Sequence, residues 1–169
     1  IVLGYFESIF LIAARKFLDE RLDIFIAEAG IGGRLDTTSI LKSQTVCLTN
    51  IGLDHTELLG TTTKEILFEK IHVSKKVNNF INGSEVIHNE YKSLIKESLQ
   101  VEEDHYFLGF QKEEYMSSSN KNYLKSNQET AIKTSEVILE YLQPKDFLKI
   151  ENSLLNNINN KIPDGRLSL

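Results

Sequence analysis

The strongest constraint on the fold of this chain is the alternation of short apolar runs with helical stretches. Asp23-Ile24-Phe25-Ile26-Ala27-Glu28-Ala29 and Thr45-Val46-Cys47-Leu48-Thr49-Asn50-Ile51 are too short for stable helices, and glycines end the first. Their length, flanks and β-branched residues predict buried strands. Residues 4–20 read as a helix, with Phe6, Ile9, Phe10, Ala13 and Phe17 at helical spacing. Thr62 or Thr63 is placed to cap a helix running to about residue 74, with Glu65 in its first turn. Residues 78–82 and 106–110 read as short strands, and 89–99 as a helix. Residues 117–122 read as a loop. A helix from about 127 to 142 would put Ala131, Ser135, Ile138 and Leu142 on one side and stop at Pro144, before a last polar helix over about 145–158. This order predicts an α/β fold with a mainly parallel sheet flanked by helices. Ligands of such sheets sit at the carboxyl ends of strands. Chemistry is therefore expected just after residues 29 and 51.

Composition narrows the function classes. The 169 residues carry a net charge of −5, which argues against a broad nucleic-acid surface. A single cysteine, Cys47, excludes an intrachain disulfide framework and a cysteine-based zinc cage, and points to a reducing compartment. No apolar run has the length of a membrane helix. The apolar first twelve residues lack the basic start and cleavage site of a signal peptide. The chain begins with Ile1 and ends at Leu169 in mid-pattern, so both ends are expected to be cuts through a longer protein.

Three residues are out of place for a merely structural chain. Glu28 alternates with Ile24 and Ile26, and a carboxylate at the end of a buried strand is costly unless it is paired or binds a metal. Arg34 is its nearby structural partner, and exposure at the strand end is the other plain explanation. His55 follows the second strand in Asn50-Ile51-Gly52-Leu53-Asp54-His55, where it is either a satisfied structural group or a metal ligand. Lys70 shares an apolar stripe with Ile66, Leu67 and Val73. It either snorkels to solvent or is desolvated, and a neutral amine there can react with carbon dioxide to give an anionic carbamate ligand.

Gly30-Ile31-Gly32-Gly33-Arg34-Leu35-Asp36 fails the dinucleotide fingerprint, because Leu35 stands where a glycine is required and no helix follows. The phosphate-cradling G-x-x-x-x-G-K-[ST] motif is not present in these residues. His55-Thr56-Glu57 matches half of a zinc deaminase signature whose cysteine half is missing. What remains is a tight backbone path that can approach a ligand closely. His72, His88 and His105 read as surface or packing residues, and Glu102-Glu103-Asp104 and Glu113-Glu114 as solvated charge.

Together these segments resemble a known family. Glu28-Ala29-Gly30-Ile31-Gly32-Gly33-Arg34-Leu35-Asp36-Thr37-Thr38 is similar to the E-V-G-L-G-G-R-L-D-A-T segment of the folylpolyglutamate synthases and bifunctional dihydrofolate synthases, the folate branch of the Mur ligases. Thr49-Asn50-Ile51-Gly52-Leu53-Asp54-His55-Thr56 with Leu59-Gly60 resembles their T-N-I-G-L-D-H-T…L-G, Glu69-Lys70 their E-K-A-G-I, and Tyr5-Phe6-Glu7 their T-Y-F-E. The resemblance implies an ATP-dependent ligase that adds L-glutamate to folates, or to dihydropteroate, through an acyl phosphate. It implies Glu28 and His55 as magnesium ligands and Lys70 as the lysine that becomes carbamylated beside a second magnesium, these three being the catalytic set. Tyr5, Phe6, Glu7, Leu35, Asp36 and Thr37 match pterin-site segments, and Asn127 and Arg166 match ATP contacts.

The implied cofactor and co-substrate are Mg2+ and ATP, and the implied setting is a cytoplasmic monomer with no membrane or nucleic-acid partner. The chain departs from the pattern at Gly4, where Thr is usual, at Ala29, Thr37 and His72, and at Asp164 beside Arg166. With the P-loop expected before residue 1 and the C-terminal domain after Arg166, these residues correspond to a partial central ATPase domain, expected to be inactive alone. The alternatives are a Mur-type ligase with another carboxylate acceptor and a non-catalytic module that keeps the fold.

Overall fold

A computed structural model describes residues 2–74, 76–110 and 123–140. Helix α1 spans Tyr5–Asp19, strand β1 Thr45–Leu48, helix α2 Thr56–Leu59, helix α3 Thr63–Ile71, strand β2 Asn79–Asn82, helix α4 Glu85–Leu99, strand β3 Tyr106–Leu108 and helix α5 Tyr123–Leu139. The strands form one parallel sheet in the order β1-β2-β3. Parallel neighbours need crossovers, and α3 and α4 supply them.

Helix α3 starts where its sequence says it should. The Thr62 hydroxyl accepts from the Glu65 amide at 3.2 Å, and the Glu65 carboxylate accepts from the amides of Thr61 and Thr62, at 2.8 and 3.0 Å. This capping box satisfies donors that a helix start leaves orphaned. The hydrogen bonds from Thr62, above all, hold the Glu65 carboxyl below its ordinary range. Ser84 caps α4 in the same way, accepting from Ile87.

Strand alternation divides the core into two faces. Val46, Leu48, Phe80 and Tyr106 pack with Leu67 and Ile71 of α3 and with Ile87 and Ile95 of α4. The opposite face carries Cys47, Ile81 and Phe107, and α5 lies there: Thr130 meets Gly109, Thr134 reaches Cys47, and Lys133 lies over the Phe107 ring. Covered on both faces, β2 is buried along its whole length. That includes Asn82, which donates to the Tyr106 hydroxyl at 2.8 Å and accepts from the Ser84 amide at 3.0 Å. A buried amide is tolerated when its hydrogen bonds are made. Burial pushes the Tyr106 hydroxyl up to about 12.

Several expectations need correction. Residues 23–29 belong to no strand among the described residues; a strand needs a ladder of backbone hydrogen bonds, and the described sheet is made of β1, β2 and β3. Phe25 instead packs between Phe10 and Phe17 of α1, with ring centroids at 6.1 and 5.1 Å. Ile24, Ile26 and Glu28 are exposed. On α1 only Phe10 is buried; Phe6, Ile9 and Ala13 are exposed. The second strand is shorter than expected, ending at Leu48. The buried face of α5 runs through Thr130 and Val137, leaving Ala131 exposed, because the helix docks through hydroxyl-to-backbone bonds that apolar spacing does not report. Glu103 is not simply solvated. Lys92 and then Lys96 bond its carboxylate and hold it down at about 2. His88 stacks near Tyr106 and Phe110. The expected loop at 117–122, Leu142 and the helix at 145–158 lie outside the described residues.

Candidate functional site

The site is organised by the 30–36 loop. Gly32 has φ +69°, a left-handed conformation that glycine adopts at no steric cost. A Cβ added there would stand 2.8 Å from the Leu59 side chain of α2. At Gly33 a Cβ would stand 2.7 Å from the Lys70 carbonyl oxygen and 2.9 Å from that of Glu69. Both glycines are buried. The loop is thus wedged between α2, which begins right after His55, and the last turn of α3, which carries Lys70. The sequence suggested a path that can approach a ligand closely; the close approaches seen here are to protein, the Leu59 side chain at Gly32 and the α3 backbone at Gly33.

Two side chains hold this path. The Asp36 carboxylate accepts from the Gly30 amide at 3.1 Å and from the Thr38 amide and hydroxyl at 2.9 and 2.7 Å, capping the 3-10 turn Thr37–Ile40. Burial raises this carboxyl, but the hydrogen bonds from Thr38, Gly30 and Ile31 outweigh it and leave it below its ordinary range. Arg34 donates its backbone amide to the Glu69 carbonyl at 2.8 Å. Its guanidinium goes to the Glu69 carboxylate through Nε and Nη2, at 3.0 and 2.9 Å.

His55 adopts φ 51°, ψ 38°, an uncommon left-handed conformation for a side-chain-bearing residue. The Asp54 carboxylate accepts from its amide at 2.8 Å, and its carbonyl accepts from the amides of Leu58 and Leu59. Its imidazole is 43% exposed, open enough to meet a ligand. Lys70 is half-buried.

The other expected positions divide. Tyr5 and Phe6 are exposed and Glu7 is half-buried in the first turn of α1. Gly4 caps that helix without a side-chain bond. Leu35 is exposed, while Asp36 and Thr37 are half-buried. The turn at Thr37–Ile40 packs against α1, so the elements carrying these two groups are in contact. Asn127 is exposed near the start of α5. Its neighbour Ser126 donates to the Gly83 carbonyl just beyond β2, which puts this end of α5 at the carboxyl edge of the sheet. Arg166 lies outside the described residues.

Among the described residues no three His, Cys, Asp or Glu side chains gather in metal-binding geometry. A preformed all-protein cage is not what magnesium requires. Magnesium keeps several waters and takes one or two carboxylates together with substrate phosphates. Glu28 offers an exposed carboxylate of that kind, and His55 an exposed imidazole, which is not among the usual donors to magnesium. Sequence reasoning gave Glu69 and Leu59 no part in the site. Their signal was their position, one residue before Lys70 and four after His55.

No protein-family profile matches the chain. Mitochondrial folylpolyglutamate synthase of Bos taurus is 44% identical over 68 residues, which is 40% of this chain and 12% of that protein. The dihydrofolate synthase/folylpolyglutamate synthase of Buchnera aphidicola subsp. Schizaphis graminum is 42% identical over 95 residues, 56% of this chain and 23% of that one. The chain resembles the folylpolyglutamate synthases. It spans only a small part of the length of these synthases. Among solved structures, a serine-to-alanine mutant of the L. casei FPGS superposes with a TM-score of 0.67 and 19% identity, covering 82% of this chain and 40% of that synthase. This establishes the shared fold, an open parallel sheet with flanking helices. No described helix is long and apolar enough to cross a membrane.

Proposed function

We propose that this chain carries part of the active centre of an ATP-dependent ligase that joins L-glutamate to a folate or to dihydropteroate. The observation that carries the reading is that the glycine loop, which follows Glu28 in the chain, is wedged between two elements: the helix that His55 begins and the helix end that bears Lys70. The relatives that the chain resembles are named as folylpolyglutamate and dihydrofolate synthases. The chain spans a small part of those relatives, and we take it as a partial central ATPase portion that needs a P-loop and a C-terminal domain from outside these residues and does not turn over alone.

In the reaction the γ-phosphoryl group passes from ATP to the acceptor carboxylate, giving ADP and an acyl phosphate. The amine of glutamate attacks the acyl carbon, the amide forms and phosphate leaves. Such transfers depend mainly on positioning and charge neutralisation. Glu28 and His55 would hold magnesium, with Lys70, as its carbamate, near a second ion. Magnesium, when bound, supplies charge neutralisation at the phosphate and carboxylate oxygens. The chain's own residues set the frame. The left-handed turn at His55 starts α2 directly after it, and the glycine loop that follows Glu28 is seated against the end of α3. Tyr5, Phe6, Glu7, Leu35, Asp36 and Thr37 flank the pterin, and Asn127 and Arg166 contact ATP. The setting is a reducing compartment, taken as cytoplasmic, and the protein a monomer.

The test is ADP release by the protein with its native ends, given magnesium, ATP and either a folate or a pteroate acceptor, with glutamate present or omitted. Glutamate-dependent release that His55→Ala abolishes is the expected result, and the preferred acceptor tells one activity from two. Silence with both acceptors in a protein that binds ATP and magnesium would overturn the folate assignment in favour of another Mur-type acceptor. Silence without ATP binding would leave a non-catalytic module.

A further inference from the structure

We propose that Arg34 and Glu69 are a positioning pair, a clamp that fixes the glycine loop, and with it Glu28, to the helix end that bears Lys70. The proposal rests on the functional reading above. Three contacts coincide at this point. The guanidinium places Nε and Nη2 on a single Glu69 oxygen, at 3.0 and 2.9 Å. The same two residues share a backbone hydrogen bond of 2.8 Å. Gly33, the next residue back, sits so close to the carbonyls of Glu69 and Lys70 that no Cβ fits.

An isolated surface ion pair contributes little, because solvent screens it and two side chains lose freedom. This pair differs. Its backbones are already joined, and the Glu69 carboxylate is only 17% exposed. The Phe68 ring lies 6.0 Å from the guanidinium carbon and stacks in turn on His72. The fork of Arg34 is therefore spent on protein. An arginine at a glycine loop invites assignment as a phosphate ligand, and this geometry points to the other role. Asp36 closes the loop on itself through Gly30, and Arg34 anchors it to α3. With either side chain removed, the loop keeps its backbone bond to Glu69 but loses a tie, and Glu28, which leads into the loop, is held less tightly.

The experiment uses the protein with its native ends and four variants: Arg34→Lys, Arg34→Ala, Glu69→Gln, and the charge-reversed double variant Arg34→Glu with Glu69→Arg. Two readouts are independent of turnover. Amide hydrogen exchange over residues 30–36 is expected to accelerate in every single variant, since the clamp limits local opening. Binding of Mn2+ with ATP, followed by electron paramagnetic resonance, is expected to weaken about tenfold, the lower range for loss of a group that orients a metal ligand. Partial recovery of both in the double variant is expected of a pair acting on each other. The proposal is overturned if Glu69→Gln leaves loop exchange and Mn2+ binding unchanged while Arg34→Ala loses ATP-dependent binding, because Arg34 would then act on the ligand itself. Unchanged exchange in all variants also overturns it. Failure of the ligase reading looks different: the unmodified protein would release no ADP with glutamate, while the exchange measurement would still decide whether the clamp exists.

Discussion

The layer built from β1, α3, β2 and α4 and the layer built from α1 with residues 20–31 are held very differently, although the second is the more apolar in sequence. In the first, Ile66, Leu67, Ile71, Phe80, Ile81 and Ile95 are wholly buried. In the second, Ile12 is 69% exposed and Ile26 is 86% exposed, and the firm contacts are the rings of Phe10, Phe17 and Phe25. The difference teaches that apolar content sets a preference for burial, while a ladder partner and a facing helix decide whether it is met. The 30–36 loop lies between these layers and takes its order from the first, through Glu69 and Leu59.

The comparison can be broken in several places. The largest expected effect is at its firm end. Phe80→Ala should cost about 3–5 kcal/mol, as lost transfer free energy plus a cavity, measured by urea unfolding. A value near zero would mean that β2 is not the centre of the core. Gly33→Ala should cost about 1–3 kcal/mol, because a methyl has no space beside the Lys70 and Glu69 carbonyls. Its loss should be accompanied by faster amide exchange over 30–36 and not over β2. Asp36→Ala should cost about 1 kcal/mol at neutral pH, the ordinary worth of such a cap. The folded state holds this carboxyl below its ordinary value of 3.8, so its contribution is full above that value. It fades as pH falls through the lower folded value, and the gap between variant and parent should close there. The smallest effect is expected at the loose end. Ile26→Ser and Ile12→Ser should each stay within about 0.5 kcal/mol, and a larger loss would show that this layer is packed in solution after all.

The architecture was largely legible in the residues, and for physical reasons. Thr62 with Glu65 announced a helix start, and Asn79-Phe80-Ile81-Asn82 and Tyr106-Phe107-Leu108 announced strands. Crossover helices between them forced parallel pairing. The 30–36 loop was legible as a close approach because two adjacent glycines leave few other reasons. Residues 23–29 were misread because period and composition report which side chains avoid water, and they are silent on pairing. Nearness in sequence offered Arg34 as one plain partner for Glu28, beside exposure at the strand end; the fold brings Glu69, thirty-five residues away, to its guanidinium. The docking of α5 was misjudged by one position because Thr130 works through its hydroxyl, which no apolar pattern registers.

The placement of α5 has a consequence for how the protein is made. It alone among the described helices lies over the face with Cys47, Ile81 and Phe107, and it follows all three strands in the chain. At a synthesis rate of about 5–20 residues per second, the ribosome delivers the sheet seconds before the helix that covers it. Through that interval one face of the nascent sheet stands open to chaperones and to other chains, and Thr130 of α5 closes the window when it reaches Gly109.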